Sequence, residues 1–107
     1  MFEIKRTDAF DKWLKGLKDS NCRTRIQARI DRLASGNPGD VGPIGQGLSE
    51  LRIDCGPGYR VYYARAGRTL YLLLCGGNKG TQDADIRQAH ATWRELNPPA
   101  RRPATKE

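Results

Sequence analysis

The sequence predicts an α+β domain in which a helical hairpin and a C-terminal helix pack on an antiparallel sheet. Two observations carry this: apolar residues recur at helical spacing in three stretches, and strand-like stretches lie before and between them. At 107 residues the chain makes one domain with one modest core and no room for a separate cofactor domain.

The first stretch, "FEIKR" (2–6), alternates apolar and polar residues and reads as a short strand. Thr7 then offers an N-cap, Asp8 and Asp11 suit the first helical turns, and Phe10, Trp13, Leu14 and Leu17 share one face, so a helix is expected over about 8–18. Asp19 or Ser20 caps a second helix with Cys22, Ile26, Ile30 and Leu33 inside and Arg25, Arg29 and Arg32 on the opposite line, and Gly36 and Pro38 end it. The arginine line reads first as a solvated face. "GNPGDVGPIGQG" (36–47) holds five glycines and two prolines and is expected to be a loop.

Three strands should follow. "LSELRID" (48–54) sets Leu51 and Ile53 on one face and Glu50, Arg52 and Asp54 on the other; "GYRVYYAR" (58–65) continues the alternation; Gly67 turns the chain back into "LYLLLC" (70–75), which is apolar on both faces and so reads as a central strand. "GGNKG" (76–80) should break that strand before a last helix led by Thr81 or Asp83, with Ile86, His90, Trp93 and Leu96 inside. The order is β-α-α-β-β-β-α over 1–97, and the Pro-rich, charged residues 98–107 read as a disordered basic tail.

The 19 Lys and Arg against 12 Asp and Glu give a formal charge of +7 and a pI near 9.7, which points to a polyanionic or acidic partner. The first residues lack the apolar core of a secretion signal and no apolar run is long enough to span a bilayer, so a cytoplasmic protein without membrane contact is expected. Cys22, Cys55 and Cys75 are odd in number and lack paired spacing, which predicts reduced, partly buried thiols. With His90 they formally make a Cys3His set, but no two are close enough in sequence to act as a ligand pair, so no metal and no cofactor is expected.

"LSELRIDCGPGYRVYY" (48–63) and "LLLCGGNKGTQDADIRQAHATW" (72–93), in that element order, resemble the RelE/ParE superfamily of type II toxins, and within it the short HigB-like addiction module killer toxins; the resemblance covers about residues 1–96. It implies the RelE/ParE-like fold and a toxin silenced by a cognate antitoxin, which in this subgroup typically carries a helix-turn-helix DNA-binding domain, so that DNA would be reached only through the partner. Most RelE-like members cut messenger RNA on the ribosome, whereas ParE-like members poison DNA gyrase. A degenerate toxin that only binds its antitoxin is the third reading.

Metal-free RNA cleavage requires the 2′-hydroxyl deprotonated, the phosphorane charge stabilised and the leaving 5′-oxygen protonated. Arginine supplies only the second, because it keeps its proton. Arg60, in G-Y-R, matches the superfamily's strand arginine; Arg52 stands near a position where relatives carry a catalytic lysine or arginine; Lys79 matches a basic position of RNA-cutting members. Relatives often place a tyrosine, or an aspartate with a tyrosine, at the last helix, where this chain has Asp83, Asp85 and His90 and no tyrosine. Asp85 and His90 are therefore candidate proton carriers, against the plainer readings of a helix-dipole aspartate and a packed histidine. Arg65, Arg68, Tyr59 and Tyr62 complete the expected RNA-binding set, the tyrosines as base-stacking rings or as sheet packing. Arg52 and Arg60 on one sheet face would repel unless an anion came between them.

Overall fold

A computed structural model describes residues 1–96; the expected tail, 98–107, lies outside the described residues. Five strands form one sheet in the order β1-β5-β4-β3-β2, with β1 at Glu3–Arg6, β2 at Val41–Gly45, β3 at Leu48–Ile53, β4 at Tyr59–Ala66 and β5 at Leu70–Asn78. Helices α1 (Asp8–Gly16) and α2 (Ser20–Ala34) cover one face, and α3 (Gln82–Leu96) covers the other.

The helix starts follow the sequence. The Thr7 hydroxyl accepts from the Phe10 N–H at 3.1 Å and donates to the Leu74 carbonyl at 2.7 Å, so one side chain both caps α1 and pins it to the central strand. The Asp19 carboxylate accepts from the Cys22 N–H at 3.1 Å to cap α2. Phe10, Leu14, Ile26, Ile30 and Leu33 then bury against Leu51, Ile53, Val61, Tyr63 and Leu73. Behind the sheet, Ala89 of α3 buries with Leu48, Tyr62, Ala64, Leu74 and Cys75, flanked by Ile86 and Trp93. A register shift at Tyr62/Tyr63 lets the consecutive residues Leu74 and Cys75 both join this second core.

Three expectations are corrected. The sheet is mixed, because β1 runs parallel to β5, its central neighbour, while the other pairs are antiparallel. The glycine-rich stretch 36–47 contains β2: its Pro43 needs no ladder donor at a sheet edge, and Gln46 (φ 55°) and Gly47 (φ 81°) form a tight two-residue turn into β3. Gly76 and Gly77 continue β5 rather than break it; a Cβ at Gly76 would collide with the Trp13 ring, and one at Gly77 with the Asp85 carboxylate. These glycines are needed for lateral room on the two faces of one strand.

The cysteine expectation is corrected as well. Cys22 and Cys55 form a disulfide that ties the start of α2 to the β3–β4 loop, and only Cys75 is free. The formal Cys3His set is not assembled, since His90 is bonded to the Ile44 carbonyl at 2.9 Å. Burial, with Asp85 next, pushes the Cys75 thiol up to about 12.

Gly76→Ala should lower stability by about 1–3 kcal/mol through overpacking against Trp13, whereas Gly16→Ala, which meets nothing within 4 Å at the end of α1, should raise it by roughly 0.5–1 kcal/mol; urea unfolding of the two variants reads the opposite signs. Thiol titration of the native, unreduced chain with an aromatic disulfide reagent at pH 8 should show no fast-reacting group and one thiol after denaturation, because Cys75 stays protonated and enclosed.

Candidate functional site: a cationic cleft at the end of the central strands

Strand alternation carries Glu50, Arg52, Arg60 and Tyr62 to the α3 side of the sheet, with Arg52 directly opposite Arg60 in the β3–β4 register. Facing guanidiniums repel, and the protein answers with its own anion. One Glu50 carboxylate oxygen accepts from Arg52 Nε at 2.9 Å; the other accepts from Gln82 Nε2 at 3.1 Å and lies 3.9 Å from Arg60 Nε. Asp40 takes a second Arg52 donor, Nη1, at 3.1 Å. Hydrogen bonding to Glu50 and then to Asp40 holds the Arg52 guanidinium above its ordinary pKa.

Beside this pair opens a cleft of about 470 Å³ walled by Asp40, Arg52, Gly56, Gly58, Arg60 and Lys79, among others. The Arg60 side chain is only 14% exposed, and its buried Nε makes no hydrogen bond among the described residues. The carboxylate oxygen paired with that donor is Glu50 Oε1, 3.9 Å away and too far for a hydrogen bond. Lys79 stands exposed in the turn after β5, its N–H held by the Gly58 carbonyl at 2.9 Å. Arg52, Arg60 and Lys79 are thus brought together.

The remaining candidates are placed elsewhere. The Asp85 carboxylate accepts from the Thr81 hydroxyl and sits against Gly77; His90 Nε2–H donates to the Ile44 carbonyl; neither walls the cleft. Arg65 packs its guanidinium 5.1 Å from the Phe2 ring centroid and donates to the Arg68 carbonyl at 2.7 Å. Five strand residues, roughly 17 Å, separate that end of β4 from Arg60. Tyr62 is fully buried beneath α3, where burial and then Glu50 push its phenol above its ordinary pKa, so it offers no stacking face. Tyr59 is edge-on to Trp13, with ring centroids 6.0 Å apart.

Two residues that shape the cleft were missed. Glu50 shares a face with Arg52 by simple alternation, but its burial under Gln82 depends on where α3 lands. Arg29, read as part of a solvated line, donates to the carbonyls of Pro38, Asp40 and Arg52, and burial followed by Arg32 lowers its pKa. It fixes the segment that brings Asp40 to Arg52.

The fold matches that of a mutant of the E. coli toxin RelE in its free state, with a TM-score of 0.67, 13% identity, and coverage of 86% of this chain and 96% of that one. An uncharacterized protein of Haemophilus influenzae is 50% identical over 94 residues, 88% of this chain and 95% of that one. The family model described as "Phage derived protein Gp49-like (DUF891)" matches residues 12–95. Across most of its length, then, this chain belongs to the Gp49-like family of phage-derived proteins.

Proposed function

We propose that this protein is the toxin of a toxin–antitoxin pair, acting in the cytoplasm as a metal-independent endoribonuclease that cuts messenger RNA on the ribosome. The observation that carries the reading is the convergence of Arg52, Arg60 and Lys79 on one cleft, on a fold like that of the toxin RelE. The net charge of +7 supports a polyanionic target.

In this reading the Arg60 guanidinium stabilises the in-line phosphorane, its largely enclosed side chain being held beside Glu50 before substrate arrives. Arg52, held by two carboxylates, serves mainly to orient the phosphate. Lys79 is the exposed ammonium of the cleft and, in this reading, the group that protonates the leaving 5′-oxygen. Glu50 holds the two arginines side by side. Asp85 and His90, bonded away from the cleft, support the scaffold. The cognate antitoxin is a separate protein with a helix-turn-helix domain that covers the toxin and carries the complex to DNA.

Expression without the antitoxin, with mapping of cellular RNA 5′ ends, tests the activity. Arg60→Ala should remove the new breaks and relieve growth arrest, with cleavage falling about 10²–10³-fold while the fold is kept. Arrest with intact messages would move the reading to a gyrase poison, and normal growth to a binding-only protein. Glu50→Gln should lower the thermal midpoint by about 5 °C and weaken cleavage less than Arg60→Ala, because it loosens both arginines without removing either; equal loss in the two variants would give Glu50 a direct chemical role.

A further inference from the structure

The β3–β4 loop, residues 54–58, forms one wall of the cleft through Asp54, Gly56, Pro57 and Gly58. Little besides the disulfide holds it. Asp54, Gly56 and Pro57 are exposed, and apart from the packing of Cys55 on the first core the non-covalent ties are hydrogen bonds: Cys55 N–H to the Ile53 carbonyl at 3.0 Å, Gly58 N–H to the Cys55 carbonyl at 3.1 Å, the backbone N–H of Lys79 to the Gly58 carbonyl at 2.9 Å and Arg25 to the Asp54 carbonyl at 3.2 Å. Gly56 and Gly58 both hold positive φ, at 56° and 83°, so the backbone on either side of Pro57 has wide freedom once released. Cys22, by contrast, is buried 1% exposed in the capped first turn of α2.

We infer that Cys22 and Cys55 form a thiol–disulfide exchange site whose oxidation fixes the cleft wall and tightens binding of single-stranded RNA. The affinity consequence rests on the RNA-cutting reading; the ordering of the loop does not. Exchange is with a dithiol. Its thiolate attacks one sulfur, the other cysteine leaves as thiolate and takes a proton, and the second thiol of the reagent closes on the mixed disulfide to release the remaining cysteine. One protein S–S bond is broken, one reagent S–S bond is made, and two electrons and two protons pass to Cys22 and Cys55. In the reduced chain residues 54–58 sample many positions, and bound RNA must order them, which weakens affinity. Oxidation is the reverse exchange: the Cys55 thiolate attacks the disulfide of an oxidised dithiol, one reagent sulfur leaves as a thiol, and Cys22 closes on the mixed disulfide to release the other, so that the two electrons and two protons pass to the reagent. Cytosolic thiols are ordinarily kept reduced, so this reverse exchange is the activating event.

The test compares the oxidised chain, the same chain reduced with dithiothreitol, and the double variant Cys22→Ser/Cys55→Ser, which retains Cys75. Fluorescence anisotropy with a labelled single-stranded RNA 12-mer reads affinity, and amide hydrogen exchange reads the loop. Reduction should raise Kd about tenfold and speed exchange at Cys55, Gly56, Gly58 and Tyr59, while Leu51 and Val61 stay protected; the variant should behave as the reduced chain in either buffer. Unchanged exchange at the loop overturns the proposal. So does loss of protection at Leu51 and Val61, which would make the disulfide a global staple, or a dithiothreitol effect that persists in the variant. Absence of RNA binding in both redox states, with the loop still loosened by reduction, would fail the RNA reading and leave the exchange site standing.

Discussion

The cleft depends on one carboxylate. Arg52 and Arg60 occupy directly opposed positions on β3 and β4, an arrangement that strand pairing alone disfavours. Glu50 makes it stable by lying beneath both, with Gln82 of α3 satisfying its remaining oxygen. A buried carboxylate without partners would be costly, as would two facing guanidiniums without a counter-ion; together the three groups and the amide solve both problems. The position of α3 is part of that solution, because Gln82 opens the helix and Asp85 and Ala89 continue it over Gly77 and the second core.

The same neutralisation limits what the cleft does by charge alone. Its walls hold Arg52, Arg60 and Lys79, but also Asp40 and Asp54, with Glu50 beneath. Long-range attraction of a polyanion must then come largely from the rest of the basic surface, while the cleft supplies directed donors. Arg60, its side chain largely enclosed in the cleft wall, is held in place beside Glu50, so what it offers a phosphate is a fixed position rather than net charge.

Much of the fold was legible because it rests on periodicity. Phe10, Leu14, Ile26, Ile30 and Leu33 could bury only as helices, and the doubly apolar β5 could only be central. β2 was hidden by composition, since the glycines and proline that read as loop are what an edge strand tolerates: Gly42 leaves room for the Arg52 guanidinium, and Pro43 lacks a donor the edge does not use. The site was half legible. Arg52, Arg60 and Lys79 came together as expected, but Arg65 and Arg68 share a strand or turn with them only in sequence and stand at its far end. Glu50, Arg29 and the Cys22–Cys55 bond depend on tertiary distance, which alternation and spacing do not carry.

Both long walls of the cleft are tied to one helix. Arg29 of α2 grips the carbonyls of Pro38, Asp40 and Arg52, setting the wall that carries Asp40; Arg25 and Cys22 of the same helix hold the β3–β4 loop that carries Gly56 and Gly58. Three side chains along one face of α2 therefore fix the opening in which Arg52, Arg60 and Lys79 meet. The arginine line that periodicity assigns to solvent is better understood as the helix's second working face: its apolar face, Ile26, Ile30 and Leu33, packs the sheet, and Arg25 and Arg29 on its polar edge clamp loop carbonyls. Guanidinium suits that task, because a single planar fork donates to several backbone carbonyls at once.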